Sequence, residues 1–177
     1  MSAAGPSLAR SLLVRSFMHP QSAMSRRFCA SGPHAGTSSR EASRLLVVDD
    51  EVHARAALAE LLREAGYLVE TAGGGLQALP KLVDFAPELL VTDLEMPDMD
   101  GIALMCKAQQ YDPLLPVIIT TASCAIDSAV SAMRHGAADY LTKPLDVDRL
   151  MLSVEQALDR RHAQRNSGLT MKYFRVG

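Results

Sequence analysis

The sequence predicts an α/β protein built on a doubly wound, five-stranded parallel sheet, and three observations carry that expectation. From Arg44 onward, short β-rich runs alternate five times with segments of helical period. The first, third and fourth of those runs are almost unbroken Leu, Val and Ile, the composition of central strands buried on both faces. Right-handed crossovers between parallel strands then place helices on both sides of the sheet.

Taken in order, "LLVVDD" is the first strand, ending in two acids. "HARAALAELLREAG" sets Ala57, Leu58, Leu61 and Leu62 at helical spacing and stops at Gly66. "YLVETA" is the second strand and "LQALPKLVDF" the second helix, in which Pro80 is expected to kink the helix or confine it to one side. "ELLVTD", "GIALMCKAQQY" and "PVIITTA" follow as third strand, third helix and fourth strand. "AIDSAVSAMRHG" is the fourth helix, again closed by glycine; "ADYLTK" is the fifth strand, and "DVDRLMLSVEQALDRRH" a fifth helix ending at His162.

Charge divides the chain. Residues 1–44 carry six arginines against Glu41, a local charge of +5, while residues 45–177 carry 12 basic and 19 acidic residues, a charge of −7. So acidic a globular part argues against unspecific nucleic-acid binding, which needs clustered Lys and Arg to neutralise phosphates. Residues 1–43, rich in Ser, Ala, Gly and Arg without apolar period, read as a disordered basic arm. The arm also has the composition of a mitochondrial transit peptide, with "SLARSLLVRSF" able to form a short amphipathic helix. Translation from Met24, or an extension without a targeting role, is the plain alternative. Residues 44–163 form the single domain and residues 164–177 a short tail. Cys29, Cys106 and Cys124 are too scattered for a disulfide framework or a metal site, and no apolar run has membrane-spanning length, so a cytoplasmic protein is expected unless the arm targets an organelle.

In a sheet of this kind ligands bind beyond the carboxyl ends of the strands. Asp49 and Asp50 follow the first strand, Asp93 ends the third, Thr120 and Thr121 end the fourth with Ser123 beyond, and Lys143 follows the fifth. Crowded carboxylates invite a hard divalent cation such as Mg2+, which keeps positions free for phosphate oxygens. A carboxylate there can attack a phosphoryl group, with the hydroxyl and the ammonium offsetting the developing charge.

"LLVVDDE", "VTDLEMPDMDG", "PVIITTA" and "GAADYLTKPLD", in that order, resemble the receiver domain of two-component response regulators, most closely those of nitrogen-regulation and dicarboxylate-transport type, over Arg44 to Arg161. The resemblance implies a flavodoxin-like strand order 2-1-3-4-5. It also implies that Asp93 accepts the phosphoryl group and that Asp49, Asp50, Asp93 and the main-chain carbonyl of Glu95 hold Mg2+, with Asp50 more direct than Asp49. Thr121, preferred to Thr120, is then the switch hydroxyl, Tyr140 the switch aromatic and Lys143 the phosphate-pairing ammonium, with a cis Lys143–Pro144 bond. The donor is a histidine kinase or a histidine phosphotransfer protein. Phosphorylation alters the surface of the fourth helix, fifth strand and fifth helix, which controls a downstream protein or a homodimer. Such a protein is a phosphoacceptor rather than an enzyme acting on others, apart from slow autodephosphorylation, with no direct DNA or membrane contact of its own.

Other readings explain less. An EF-hand aligned on Gly101 puts Met96 and Lys107 at ligand positions, and a Mg2+-dependent aspartyl phosphatase would leave the Asp49–Asp50 pair unused. A flavin module would meet carboxylates where it needs to cradle phosphate. A receiver fragment of a longer transcriptional regulator stays open beside the single-domain reading. His53 reads as an exposed helix residue; Met96, Met99 and Met105 as packing; Gly73–Gly75 as a flexible turn. Asp98 and Asp100 read as turn residues, with Asp100 an N-cap and Pro97 shaping the loop.

Overall fold

The computed structural model describes residues 42–122 and 126–173, with side chains through 167. The elements alternate without exception: β1 (Arg44–Val48), α1 (Val52–Glu64), β2 (Leu68–Ala72), α2 (Gly75–Asp84), β3 (Leu89–Asp93), α3 (Gly101–Tyr111), β4 (Val117–Thr121), α4 (Ile126–Arg134), β5 (Asp139–Thr142) and α5 (Val147–Tyr173). All four strand pairings are parallel, and the order is β2-β1-β3-β4-β5, as expected. Strand order reverses between β1 and β3, so the crevice at their carboxyl ends is the topological switch point.

The period-two alternation of β1, β3 and β4 feeds two separate cores. Leu45, Val47, Leu89, Val91 and Ile118 face α1 and α5, packing on Leu58, Leu62, Leu150 and Val154. Leu46, Val48, Leu90, Val117 and Ile119 face the other way, onto Ala78, Leu82, Leu104, Met105 and Ala132 of α2, α3 and α4. Each fully buried Leu or Ile in these layers contributes on the order of 1.5–3 kcal/mol. That anchoring holds the strand ends, and whatever they carry, in fixed relation. Met105 and Met96 are core residues, Met99 packs against the same core and His53 is exposed.

Helices α1 and α4 stop as their glycines dictate. Gly66 and Gly136 sit at φ of 95° and 94°, and Tyr67 and Ala137 amides bond back to the carbonyls of Leu62 and Ala132. Two helices depart from expectation. α2 runs regularly on both sides of Pro80, whose ring is solvent-exposed, so the missing amide bond falls on the outer face where water can satisfy the freed carbonyl. α5 continues past His162 to Tyr173: residues 163–167 are exposed and hold no proline or glycine, and the helix runs on through Gly168. Ser123, Cys29 and Cys124, and the expectations for residues 1–41, lie outside the described residues.

Candidate phosphoacceptor site

The carboxyl-end rim brings together the acids named from the sequence. One carboxylate oxygen from each of Asp49, Asp50 and Asp93 lies within 4.8 Å of the others. Asp93 is the last residue of β3, a strand buried from end to end, and is itself only 7% exposed. Asp49 is 2% exposed and Asp50 is open to solvent. Two oxygens of Asp49 are already engaged: Oδ1 accepts from the Glu51 amide at 2.8 Å and Oδ2 from Lys143 Nζ at 2.8 Å. The Arg55 guanidinium, one turn into α1, donates to the Asp49 main-chain carbonyl and pins the bend that turns both acids toward the rim. Arg55 was not singled out in the sequence; an Arg five residues after an acidic strand end is the only local signal for it.

Lys143 Nζ also stands 3.1 Å from Asp93 Oδ1, so one ammonium bridges the two buried acids. The Lys143–Pro144 bond is cis, as the resemblance implied. Burial raises the pKa of Asp93 above the ordinary carboxylate value, Lys143 acts to lower it, and the charge of Asp49 adds to the rise. Burial alone works to lower the pKa of Lys143, but its bonds to Asp49 and Asp93 outweigh that and leave it raised. Lys143 is thus a charged bridge between a partly desolvated Asp93 and its neighbour Asp49.

The donor set fits a hard cation. It consists of oxygen alone, it concentrates three formal negative charges, and Asp93 Oδ1 is a buried acceptor that makes no well-formed hydrogen bond. Beside it, a cleft of about 580 Å3 is lined by Asp50, Glu95, Met96, Pro97 and Asp100, so the β3–α3 loop and Asp50 share one opening. Gly101 closes that loop: its amide bonds to the Leu94 carbonyl at 2.9 Å, and a Cβ there would collide with the Asp93 carbonyl. Asp100 caps α3 as expected, accepting from the Ala103 amide at 2.7 Å.

Thr121 and Thr120 are both buried at the end of β4. Alternation along the strand assigns them to opposite faces. Thr120 pairs with Asp93 in register, and its hydroxyl meets the Thr92 carbonyl at 3.4 Å. Thr121 falls on the α2–α3–α4 side, the side on which half-buried Tyr140 packs. Its carbonyl accepts from the Lys143 amide at 2.7 Å, tying the ends of β4 and β5 together.

The model of the response regulator receiver domain matches residues 45–155. At 44% identity over 114 residues, 64% of this chain, it is similar to the transcriptional regulatory protein ZraR of Klebsiella oxytoca, and at 42% over 118 residues, 67% of the chain, to the DNA-binding transcriptional regulator NtrC of Escherichia coli K12. It spans 26% and 25% of those proteins, about a quarter of their length. The crystal structure of the receiver domain of NtrX from Brucella abortus superposes with a TM-score of 0.62 at 39% identity, covering 65% of this chain and 98% of that one. The chain belongs to the response regulator receiver domain family, and its relatives are of the NtrC type.

Proposed function

We propose that Asp93 is the phosphoacceptor of this receiver and that Asp49, Asp50, Asp93 and the Glu95 main-chain carbonyl hold Mg2+. A single observation carries the reading: a buried carboxylate at the end of the central strand, bridged by Lys143 to a second acid, whose Oδ1 has that ion pair and no well-formed hydrogen bond. An ionised Asp93 oxygen attacks phosphorus of a phosphohistidine. The P–N bond breaks, its electron pair returns to the imidazole, and an aspartyl phosphate forms on Asp93. Lys143, already 3.1 Å from Asp93 Oδ1, follows the charge onto the phosphoryl oxygens. The chemistry supplied by Mg2+ when bound is neutralisation of those same oxygens.

The donor is a histidine kinase or histidine phosphotransfer protein. An apolar groove of about 450 Å3 between α1 and α5, lined by Ala54, Leu58, Leu61, Pro144 and Leu150, opens beside Lys143 and gives such a donor a surface next to the nucleophile. The output runs through Thr121 and Tyr140, which share the face toward α4. There Ile126, Val130 and Met133, spaced by four and three residues, leave an apolar stripe in solvent with Ile126 78% exposed. Phosphorylation draws the Thr121 hydroxyl toward the phosphoryl group, and Tyr140 follows into the space behind it. The chain is read as a phosphoacceptor that acts on a partner protein. Residues 44–163 are the receiver unit. Control of transcription belongs to the longer relatives, and an attached output domain would make this receiver its regulatory part.

The test is labelling by acetyl phosphate with and without Mg2+. The parent protein is expected to label only with Mg2+, and Asp93→Asn not at all; full labelling of Asp93→Asn would remove Asp93 from the reaction.

A further inference from the structure

Gly73–Gly75 looks in the sequence like a flexible turn, and Asp98 like a solvated turn former. The fold interlocks them. α2 begins without a cap of its own, because Gly74 at the N-cap position has no side chain. The missing acceptor comes from the β3–α3 loop: Asp98 Oδ1 accepts from the Gly75 amide at 3.1 Å and Oδ2 from the Leu76 amide at 2.8 Å. The approach is so close that a Cβ on Gly74 would stand 2.7 Å from the Asp98 carboxylate, and one on Gly75 2.7 Å from Met99 Cβ. Only glycines admit this contact. Bonds from the α2 amides, that of Leu76 foremost, hold the Asp98 carboxyl below the usual range. On the other flank, Gly73 lies beside the Arg55 guanidinium, which grips the Asp49 carbonyl. The three glycines therefore sit between the two loops that carry the acids.

We infer that Asp98 is a positioning residue for the metal site: clasped to Gly74 and Gly75 at the start of α2, it fixes the β3–α3 loop so that the Glu95 carbonyl and Asp50 face one cleft. The inference rests on the proposed metal set, since Glu95 precedes Asp98 by three residues in the loop that lines the cleft with Asp50. Asp98 is not itself a ligand; both its oxygens are committed to the helix. Groups that orient metal ligands typically change affinity 10–100-fold when removed, and one acting through a loop belongs at the lower end.

The experiment is calorimetric Mg2+ titration of the full chain for the parent, Asp98→Ala, Asp98→Asn and Gly74→Ala. Asp50→Ala and Asp112→Asn serve as controls, with melting temperature and amide exchange at Gly75 and Leu76 measured alongside. Asp98→Ala is expected to bind Mg2+ about tenfold more weakly, to lose protection at both amides, and to recover full acetyl phosphate labelling at saturating Mg2+. Asp98→Asn, which keeps one acceptor oxygen, should fall between. Gly74→Ala, which leaves Asp98 intact but prises the clasp open, should follow Asp98→Ala and exclude a simple effect of lost charge. Asp112→Asn, far from the loop, should melt lower with unchanged Mg2+ affinity. A folded Asp98→Ala with parental affinity, while Asp50→Ala loses binding, overturns the clasp and leaves the metal site standing. A parent that binds no Mg2+ overturns both. Should Asp98→Ala fail to fold, parental affinity in both Asp98→Asn and Gly74→Ala overturns the clasp.

Discussion

At the scale of single residues, the site sets exposed Asp50 beside charges that burial makes consequential, Asp49 and Asp93. Asp93 illustrates the cost. Burial raises its pKa, so the native state holds its proton more tightly than the unfolded chain does. Its ionised form therefore lowers stability at neutral pH, and that penalty fades as pH falls through the raised value toward the unfolded one. Asp93→Asn is expected to melt higher than the parent at pH 7 without Mg2+, with the gap closing as the pH is lowered, as followed by thermal denaturation across pH. A gap that widens toward low pH would reverse the sign assigned here. Lys143 keeps the cost bounded by bridging Asp93 to Asp49. The placement of these groups was legible in the sequence because parallel strands deliver their last residues to one rim, so Asp49, Asp50, Asp93, Thr121 and Lys143 could be assigned to strand ends without knowing a distance. Asp98 was not legible: its partners lie 22 and 23 residues away, and nothing local links an acid after β3 to the amides of α2. A helix opening on glycines, with no side-chain cap, was the one available hint.

At the scale of elements, α5 is tied to the far end of α3. Arg161, 5% exposed, donates to Asp112 Oδ2 at 2.6 Å and fastens α5 to the turn between α3 and β4. Burial works to raise the Asp112 pKa, but the bonds from Arg161 and the Leu114 amide prevail and leave it lowered. A depressed carboxylate contributes stability above its unfolded pKa and loses it as pH falls through the folded value. Asp112→Asn should cost about 1–2 kcal/mol at pH 7, less than a fully buried pair because Asp112 is partly exposed, and the loss should vanish in acid. Urea denaturation at two pH values checks it. The strands and helices themselves were readable because periodicity is local: Leu45–Val48 and Val117–Ile119 can only be buried on both faces. The end of α5 was not, because residues 163–167 are exposed and carry no apolar period, and Pro80 misled because its exposed position makes the lost bond tolerable.

At the scale of the whole molecule, the two cores act as a rigid frame across which a local charge can be felt. Thr121 and Tyr140 stand on the α4 side of the sheet, and their carbonyl and ring are anchored to β5 and to the core. Coupling through one hydroxyl is on the order of 1–3 kcal/mol. Thr121→Ala should therefore label normally yet lose most of the phosphorylation-dependent change in amide exchange along α4 and β5; an undiminished change would place the coupling elsewhere. One acid among the clustered three is proposed to take the phosphoryl group. Labelling with acetyl phosphate and Mg2+, reduction of the acyl phosphate with borohydride and peptide mapping read the position outright. Homoserine at position 93 alone is the expected result; reduction at position 49 or 50, or a label resistant to borohydride, contradicts it.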